Sequence, residues 1–452
     1  MSPRRRRIVE LSDVLDDSDA LARGHEVEDR SSDFEKLITF EPNLSRPVHR
    51  WYRFKEGFSE ELVRQLLSEY RPTSNRSVSL LDPFCGVGTS LLAGGPALQS
   101  LGFRDIRLRG VEVNPYLHFV SSTKLAWQHY DPVFLLRAAA ASTNGLALRA
   151  RPATPDLSTI RDARYVDPED LRRILELREK LRVVARGRRE LRPLLLGLVA
   201  GAERIFNLRK DGRALRFSPH AGVLSLDEEI QAAWSQIAED LQINLERPVA
   251  DCNIARGDGR RADKVFPRGK FDIILFSPPY LNNIDYTEVY KIEQWLLGFL
   301  GSRAEMVAQR RRTFRSHPSC VFPEYRDAKH EDAIGVLGAP FRRLLDYAGA
   351  EDKWRSGLFA GYFADMLRTL CSCRRLLKPT GRVLIVIGNS VHGTTDRPIP
   401  VATDLWTAKL APAAGLHVDS ILVGRLLPRR RMNWAGFRES VLVMSKAGNH
   451  DS

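Results

Sequence analysis

The sequence has little cysteine: five residues among 452 (Cys85, Cys252, Cys320, Cys371 and Cys373), at no metal-type spacing and in an odd number. A zinc site and a disulfide frame are therefore not expected, and reduced thiols suit a cytoplasmic chain. The basic N-terminus lacks the apolar stretch of a secretion signal, and "LLLGLVAG" (194–201) is too short to span a bilayer. No internal repeat is present. The glycine pair Gly86-x-Gly88 has no following lysine, so it is not a P-loop, and Leu91 stands where a dinucleotide fingerprint needs a small residue.

What the chain does have is arginine. Its formal net charge is +13 and its pI about 9.7. Arginines cluster at 4–7, in "RGRRELR" (186–192), in "RRRTFR" (310–315) and at 429–431. A single such run is a solvated helix face; several together point to a polyanionic partner, nucleic acid first.

With 43% hydrophobic residues the chain can bury a full core. Residues 1–42 are polar and read as a flexible or peripheral arm. Over 43–130 short apolar runs alternate with helical segments, and the alternation resumes over 251–300 and 353–447, which argues for an open α/β sheet. Two segments interrupt it. Residues 131–250 read as a helical insertion, with Leu171, Ile174, Leu175, Leu177 and Leu181 near helical spacing and a Ser-x-x-Glu cap at Ser225. Residues 301–352, rich in arginine, read as a basic loop insertion.

"SLLDPFCGVGTSLLAG" (79–94) runs from an apolar strand through a glycine turn into a helix. In an open α/β sheet that is where backbone approaches a ligand. Glu112, in "GVEVNP", ends the next strand, where a carboxylate can accept both hydroxyl hydrogens of a ribose. Asp258, in "IARGDGRR", precedes the strand "FDIILF" and is equally a plain turn aspartate or an acceptor for an adenine amino group.

Together "DPFCGVGTS", "GVEVNP" and "FSPPY", in this order, resemble motifs I, II and IV of the S-adenosylmethionine-dependent methyltransferases that modify exocyclic amino groups of cytosine or adenine in DNA. "RPVHRWYRFKEGFSEELV" is similar to their motif X, and "RRLLKPTGRVLIVIGNS" to their late strand. The resemblance covers about half the chain and implies a Rossmann-like methyltransferase sheet, S-adenosylmethionine as cofactor and double-stranded DNA as partner. A cognate restriction or defence nuclease is a further possible partner; neither metal nor membrane is implied. By position, Asp82, Phe84, Gly86 and Gly88 would cradle the methionine part, Glu112 the ribose and Asp258 the adenine, with Phe54 as the motif X aromatic. Ser277 and the Pro278 carbonyl would accept from the target amine, Pro279 would fix the backbone, and Tyr280 would stack on a base taken out of the duplex.

Serine at the first position of the tetrapeptide favours N4 of cytosine over N6 of adenine in the families resembled. The cofactor turn precedes "SPPY" here, however, whereas many N4-cytosine enzymes have the reverse order. No Pro-Cys dipeptide occurs, so a covalent C5-cytosine route is not expected. A tRNA amino-methyltransferase and a non-catalytic nucleic-acid-binding subunit stay as alternatives; the first family usually carries an acidic residue before Pro-Pro-Tyr. Candidate nucleic-acid contacts are Arg209, Lys210, Arg213 and Arg216 around the Asp211-Gly212 turn, and Arg310, Arg311 and Arg312.

Overall fold

The computed structural model describes residues 9–73, 76–144, 146–148, 151–154, 164–211, 214–243, 250–282, 284–318, 328–428 and 432–448. In chain order the strands are β1 (Val27–Asp29), β2 (Ser77–Asp82), β3 (Asp105–Glu112), β4 (Leu208–Asp211), β5 (Ala214–Phe217), β6 (Ala250–Arg256), β7 (Phe271–Phe276), β8 (Leu377–Gly388), β9 (Ser390–Gly393), β10 (Pro398–Val401), β11 (Leu416–Leu426) and β12 (Arg438–Lys446). The chain forms two compact units: Thr39–Gly257 with Asp285–Arg312, and Met1–Ile38 with Asp258–Ile284 and Thr313–Ser452. Both are α/β, as the alternation of apolar runs and helical segments requires. Among the described residues no helix is long and apolar enough to cross a membrane.

In the first unit β2, β3 and β6 run parallel with β3 central, Leu80 beside Leu108 and Leu108 beside Cys252. β2 is buried from Val78 to Asp82, the unbroken run expected of a parallel strand covered on both faces. Helices Thr89–Ser100 and Pro115–Leu125 leave the carboxyl ends of β2 and β3. The second starts where it does because the Asn114 side chain accepts from the Tyr116 and Leu117 amides, while Pro115 occupies a position that needs no donor.

The insertion contains the helices Pro132–Thr143, Pro168–Val184, Leu191–Ile205 and Leu226–Gln242. The apolar stripe of the second is buried as its spacing predicts, and Ser225 with Glu228 forms the expected capping box. A Cβ on Gly201 would lie 2.5 Å from the Ile230 Cα, so the last two helices cross at backbone contact. The expectation of helix throughout 131–250 is corrected by the antiparallel hairpin of β4 and β5. Its strands are four residues each, too short for a period of two to stand out between long helices.

In the second unit β1 lies parallel to β11, β11 antiparallel to β12, β12 antiparallel to β8, and β8 parallel to β7. The N-terminal segment is not a loose arm over its described part: β1 extends the sheet edge, and Asp17 on the helix Leu11–Ala22 pairs with Arg343. β1 has three exposed residues and no apolar alternation, so nothing in its sequence marks it as a strand. Residues 1–8, with the first arginine cluster, lie outside the described residues. The reading of 301–352 as loop is corrected too, by the helices Arg303–Arg310, in the first unit, and Ala328–Glu351, in the second, which bends at Gly338 (φ 76°) ahead of Pro340. The arginine cluster that looked like loop, Arg310 to Arg312, falls at the end of the first of these helices.

One buried carboxylate ties the insertion to the segment before β2. Asp240, fully buried on the helix Leu226–Gln242, accepts from the Val48 amide (2.8 Å), the Trp51 indole (2.9 Å) and the Arg50 guanidinium. Val48 has φ 64°, a conformation a β-branched residue adopts only when its surroundings hold it there. Asp240→Ala strands a part-buried arginine and two buried donors and should destabilise the chain by about 3–5 kcal/mol. Urea unfolding checks this; a loss below about 1 kcal/mol would show that the segment is held by other contacts.

Candidate active site

The glycine turn sits between the carboxyl ends of β2 and β3. Asp82, the last residue of β2, accepts from the Phe84 amide (2.9 Å) and from the Ser90 hydroxyl. Gly86 (φ 49°) and Gly88 (φ 85°) both take left-handed backbone, and the Gly88 amide bonds back to the Cys85 carbonyl at 2.6 Å. Glu112, the last residue of β3, accepts from the Gly86 amide at 2.9 Å and the Asn114 amide at 2.7 Å. A Cβ on Gly86 would lie 3.3 Å from the Phe54 ring, and one on Gly110 would lie 2.8 Å from Leu91. Phe54 in turn stacks on Tyr290 (5.9 Å, 23°), whose hydroxyl donates to Glu56 at 2.7 Å.

Thus Phe54, Asp82, Phe84, Gly86, Gly88 and Glu112, named from the sequence, come together in one unit. Burial drives both carboxyls upward. Asp82 is pushed to about 7, against the opposing pull of Ser90 and the Phe84 amide and with Glu112 nearby adding to the rise. Glu112 is also pushed to about 7 despite its amide donors. Each is a buried acid short of cationic partners.

Ser277, Pro278, Pro279 and Tyr280 follow β7 in the other unit. Pro278 is buried and the other three are half-buried. The Tyr280 ring lies against Gly388 at the end of β8, where a Cβ would come within 2.8 Å of it. Burial and the Glu439 carboxylate hold the Tyr280 phenol well above its ordinary range, and its hydroxyl shares a hydrogen bond with the Ser277 side chain. Just beyond, the Leu281 carbonyl is bonded to buried His392 at 2.9 Å. Gly388, Glu439 and His392 were not singled out from the sequence. Only Gly388 carried a signal, as the glycine that closes the apolar run "VLIVIG".

Asp258 belongs to the same unit as Ser277. It is gripped by the Arg260 guanidinium (2.9 Å), which also reaches Asp365 at 2.9 Å. Asp365 is fully buried, which alone would raise it, but Arg260, Arg315 and Arg368 bring it down to about 2.

The expected nucleic-acid contacts divide. Arg209 and Arg216 face each other across the β4–β5 hairpin, both exposed, and Arg213 lies outside the described residues. Lys210 is turned inward to Glu203 (2.7 Å), Glu293 and the Tyr52 hydroxyl, over the Tyr290 ring. Arg310 pairs with Asp285 (2.7 Å) and Glu288, while Arg311 and Arg312 are exposed.

No family model matches the chain. Among curated proteins it is 27% identical over 432 residues to the Type II methyltransferase M.AvaI of Nostoc sp., an alignment covering 86% of this chain and 83% of that protein. It is 23% identical over 438 residues to the Type II methyltransferase M.BsoBI of Geobacillus stearothermophilus, with the same coverage of 86% and 83%. Among solved structures, the rRNA methyltransferase aviRa of Streptomyces viridochromogenes has a TM-score of 0.29 at 13% identity, over 89% of this chain and 92% of that one, too low to carry either fold or function.

Two outcomes follow from this geometry. Asp82→Asn keeps the acceptor for the Phe84 amide, donates to the Ser90 hydroxyl instead of accepting from it, and removes a buried ionisation. A carboxyl raised from 3.8 to about 7 gives its stabilisation below the lower value and loses it as pH rises toward the upper one. The variant should therefore gain stability over the wild type between pH 5 and 8 in urea unfolding without ligand; a loss over that interval would show that Asp82 is favourably ionised. Gly388→Ala should move the Tyr280 ring while leaving the fold intact, seen as a changed near-ultraviolet circular dichroism signal at an unchanged thermal midpoint. An unchanged signal would show that the ring position does not depend on Gly388.

Proposed function

We propose that the chain is a site-specific DNA methyltransferase of the restriction-modification kind, acting with S-adenosylmethionine on the exocyclic N4 of cytosine. One observation carries the reading: a glycine turn clamped by buried Glu112 occurs in the same chain as Ser-Pro-Pro-Tyr at the end of a buried strand, with Tyr280 backed by Gly388. Similarity to Type II methyltransferases over 86% of the chain supports it.

The donor set fits the cofactor. S-adenosylmethionine is cationic at its sulfonium and ammonium and carries two ribose hydroxyls, and the turn offers two buried carboxyls that lack cations. Bound there, the cofactor supplies an electrophilic methyl group. In this reading Glu112 accepts from the ribose, and Asp82 with Phe84, Gly86 and Gly88 cradles the methionine part beside Phe54.

An exocyclic amine is a weak nucleophile because its lone pair is delocalised into the ring. The Ser277 hydroxyl and the Pro278 carbonyl accept its two hydrogens and draw the nitrogen toward tetrahedral geometry, and Pro279 keeps those acceptors preorganised. The base reaches them only outside the duplex, where the half-buried Tyr280 ring gives it a face to stack on. Arg209, Arg216, Arg311 and Arg312 are the exposed cations for the DNA backbone in this reading. A nuclease of matching specificity is the expected companion.

Ser277→Ala should slow methyl transfer to duplex DNA on the order of 100-fold, the scale of losing one preorganised polar contact to the reacting group, and leave cofactor affinity unchanged. Single-turnover transfer and calorimetric cofactor binding separate the two. Equal losses in both would make Ser277 a structural residue.

A further inference from the structure

On the first unit the segment between Asn43 and β2 forms one wall of an open recess of about 350 Å³; the helix Leu191–Ile205 and strand β4 form others. Its lining has six cationic side chains, Arg50, Arg53, Lys55, Arg204, Arg209 and Lys210, against one carboxylate, Glu203. Sites for small organic ligands are lined mainly by apolar groups, which this recess is not.

Within the unit Arg50 is balanced by Asp240, Arg204 by Glu229, and Lys210 by Glu203 and Glu293. Arg53 and Lys55 form no ion pair among the described residues, and both are exposed. Their direction follows from the backbone. The chain is extended at Tyr52 (φ −149°, ψ 126°), and burial alternates through Tyr52, Arg53, Phe54 and Lys55. Phe54 points inward to the glycine turn and Tyr290, so its two neighbours point outward into the recess. Across it, Arg209 and Arg216 are exposed cross-strand neighbours on the β4–β5 hairpin.

We infer that this recess seats the phosphodiester backbone of duplex DNA, with Arg53 and Lys55 as phosphate contacts that flank the cofactor-side aromatic and act together with Arg209. The inference rests on the methyltransferase reading for its choice of polyanion. It adds a backbone contact on the segment that also carries Phe54, outside the arginine clusters that composition points to. DNA held there lies against the strip of chain that presents Phe54 to the glycine turn on its other side.

The test is duplex binding by the full chain as a function of salt, for the wild type and for Arg53→Gln/Lys55→Gln, with a second variant, Lys55→Glu, that needs no tolerance of two changes. Each phosphate contact contributes about 0.9 to the slope of log affinity against log salt, so the double variant should lose about 1.8 of slope and bind more weakly at low salt. Lys55→Glu should weaken binding further, and an unchanged thermal midpoint shows that both variants are folded. An unchanged slope in both variants would overturn the inference, as would a drop seen with tRNA but not with duplex DNA, or no duplex binding by the wild type. Methyl transfer by the wild type is scored separately, so a failure of the methyltransferase reading is told apart from a failure of the recess.

Discussion

The carboxylate of Glu112 is the constraint on which the site depends. It stands at the end of β3 with almost no solvent around it, and its two oxygens take the amides of Gly86 and Asn114. Those two bonds set the glycine turn after β2 and the start of the helix after β3 at once. The turn can close onto the carboxylate only because Gly86 and Gly88 accept positive φ and because Gly110 leaves room for Leu91 and Cys85. A carboxyl so placed is pushed to about 7 by burial. A buried acid perturbed in this way is the kind of group that marks a candidate functional site.

A second layer of buried charge holds the aromatic side of the turn. Asp240 fixes the 48–51 segment from the insertion, and Lys124, buried and lowered to about 7, donates to the His49 and Tyr52 carbonyls at 2.7 and 3.3 Å. Lys210 joins Tyr52, Glu203 and Glu293. The insertion therefore does more than supply surface. Its helices and hairpin brace the strip of chain that presents Phe54 inward and Arg53 and Lys55 outward. Buried ions of this kind add little net stability when paired, but removing one partner is expensive, which favours a single arrangement of the strip.

Much of this was legible in the sequence. The α/β class followed from continuous apolar runs separated by helical segments, and the turn was marked by two glycines at fixed spacing after an apolar strand. Asp82, Phe84, Glu112 and Phe54 do meet there. What was not legible has physical causes. β1 is an edge strand of exposed residues, so it has no hydrophobic signature. The hairpin strands β4 and β5 are too short to show a period. Lys210 and Arg310 looked like surface charge because the carboxylates that neutralise them, Glu293 and Glu288 among them, lie far away in sequence or are hidden in an aromatic-rich stretch. Gly388 was not singled out, since the ring it makes room for is that of Tyr280, more than a hundred residues earlier.

The most direct measurement is to incubate the purified chain with unmethylated DNA, total tRNA and S-adenosylmethionine labelled on its methyl group, then digest the nucleic acids to nucleosides and identify the labelled species by mass spectrometry. The account predicts N4-methylcytosine from DNA. N6-methyladenine would keep the chemistry of Ser277 to Tyr280 and reassign the base. Label only in RNA, or in no nucleoside, would contradict the central claim that the Glu112-clamped turn serves methyl transfer to a DNA amine.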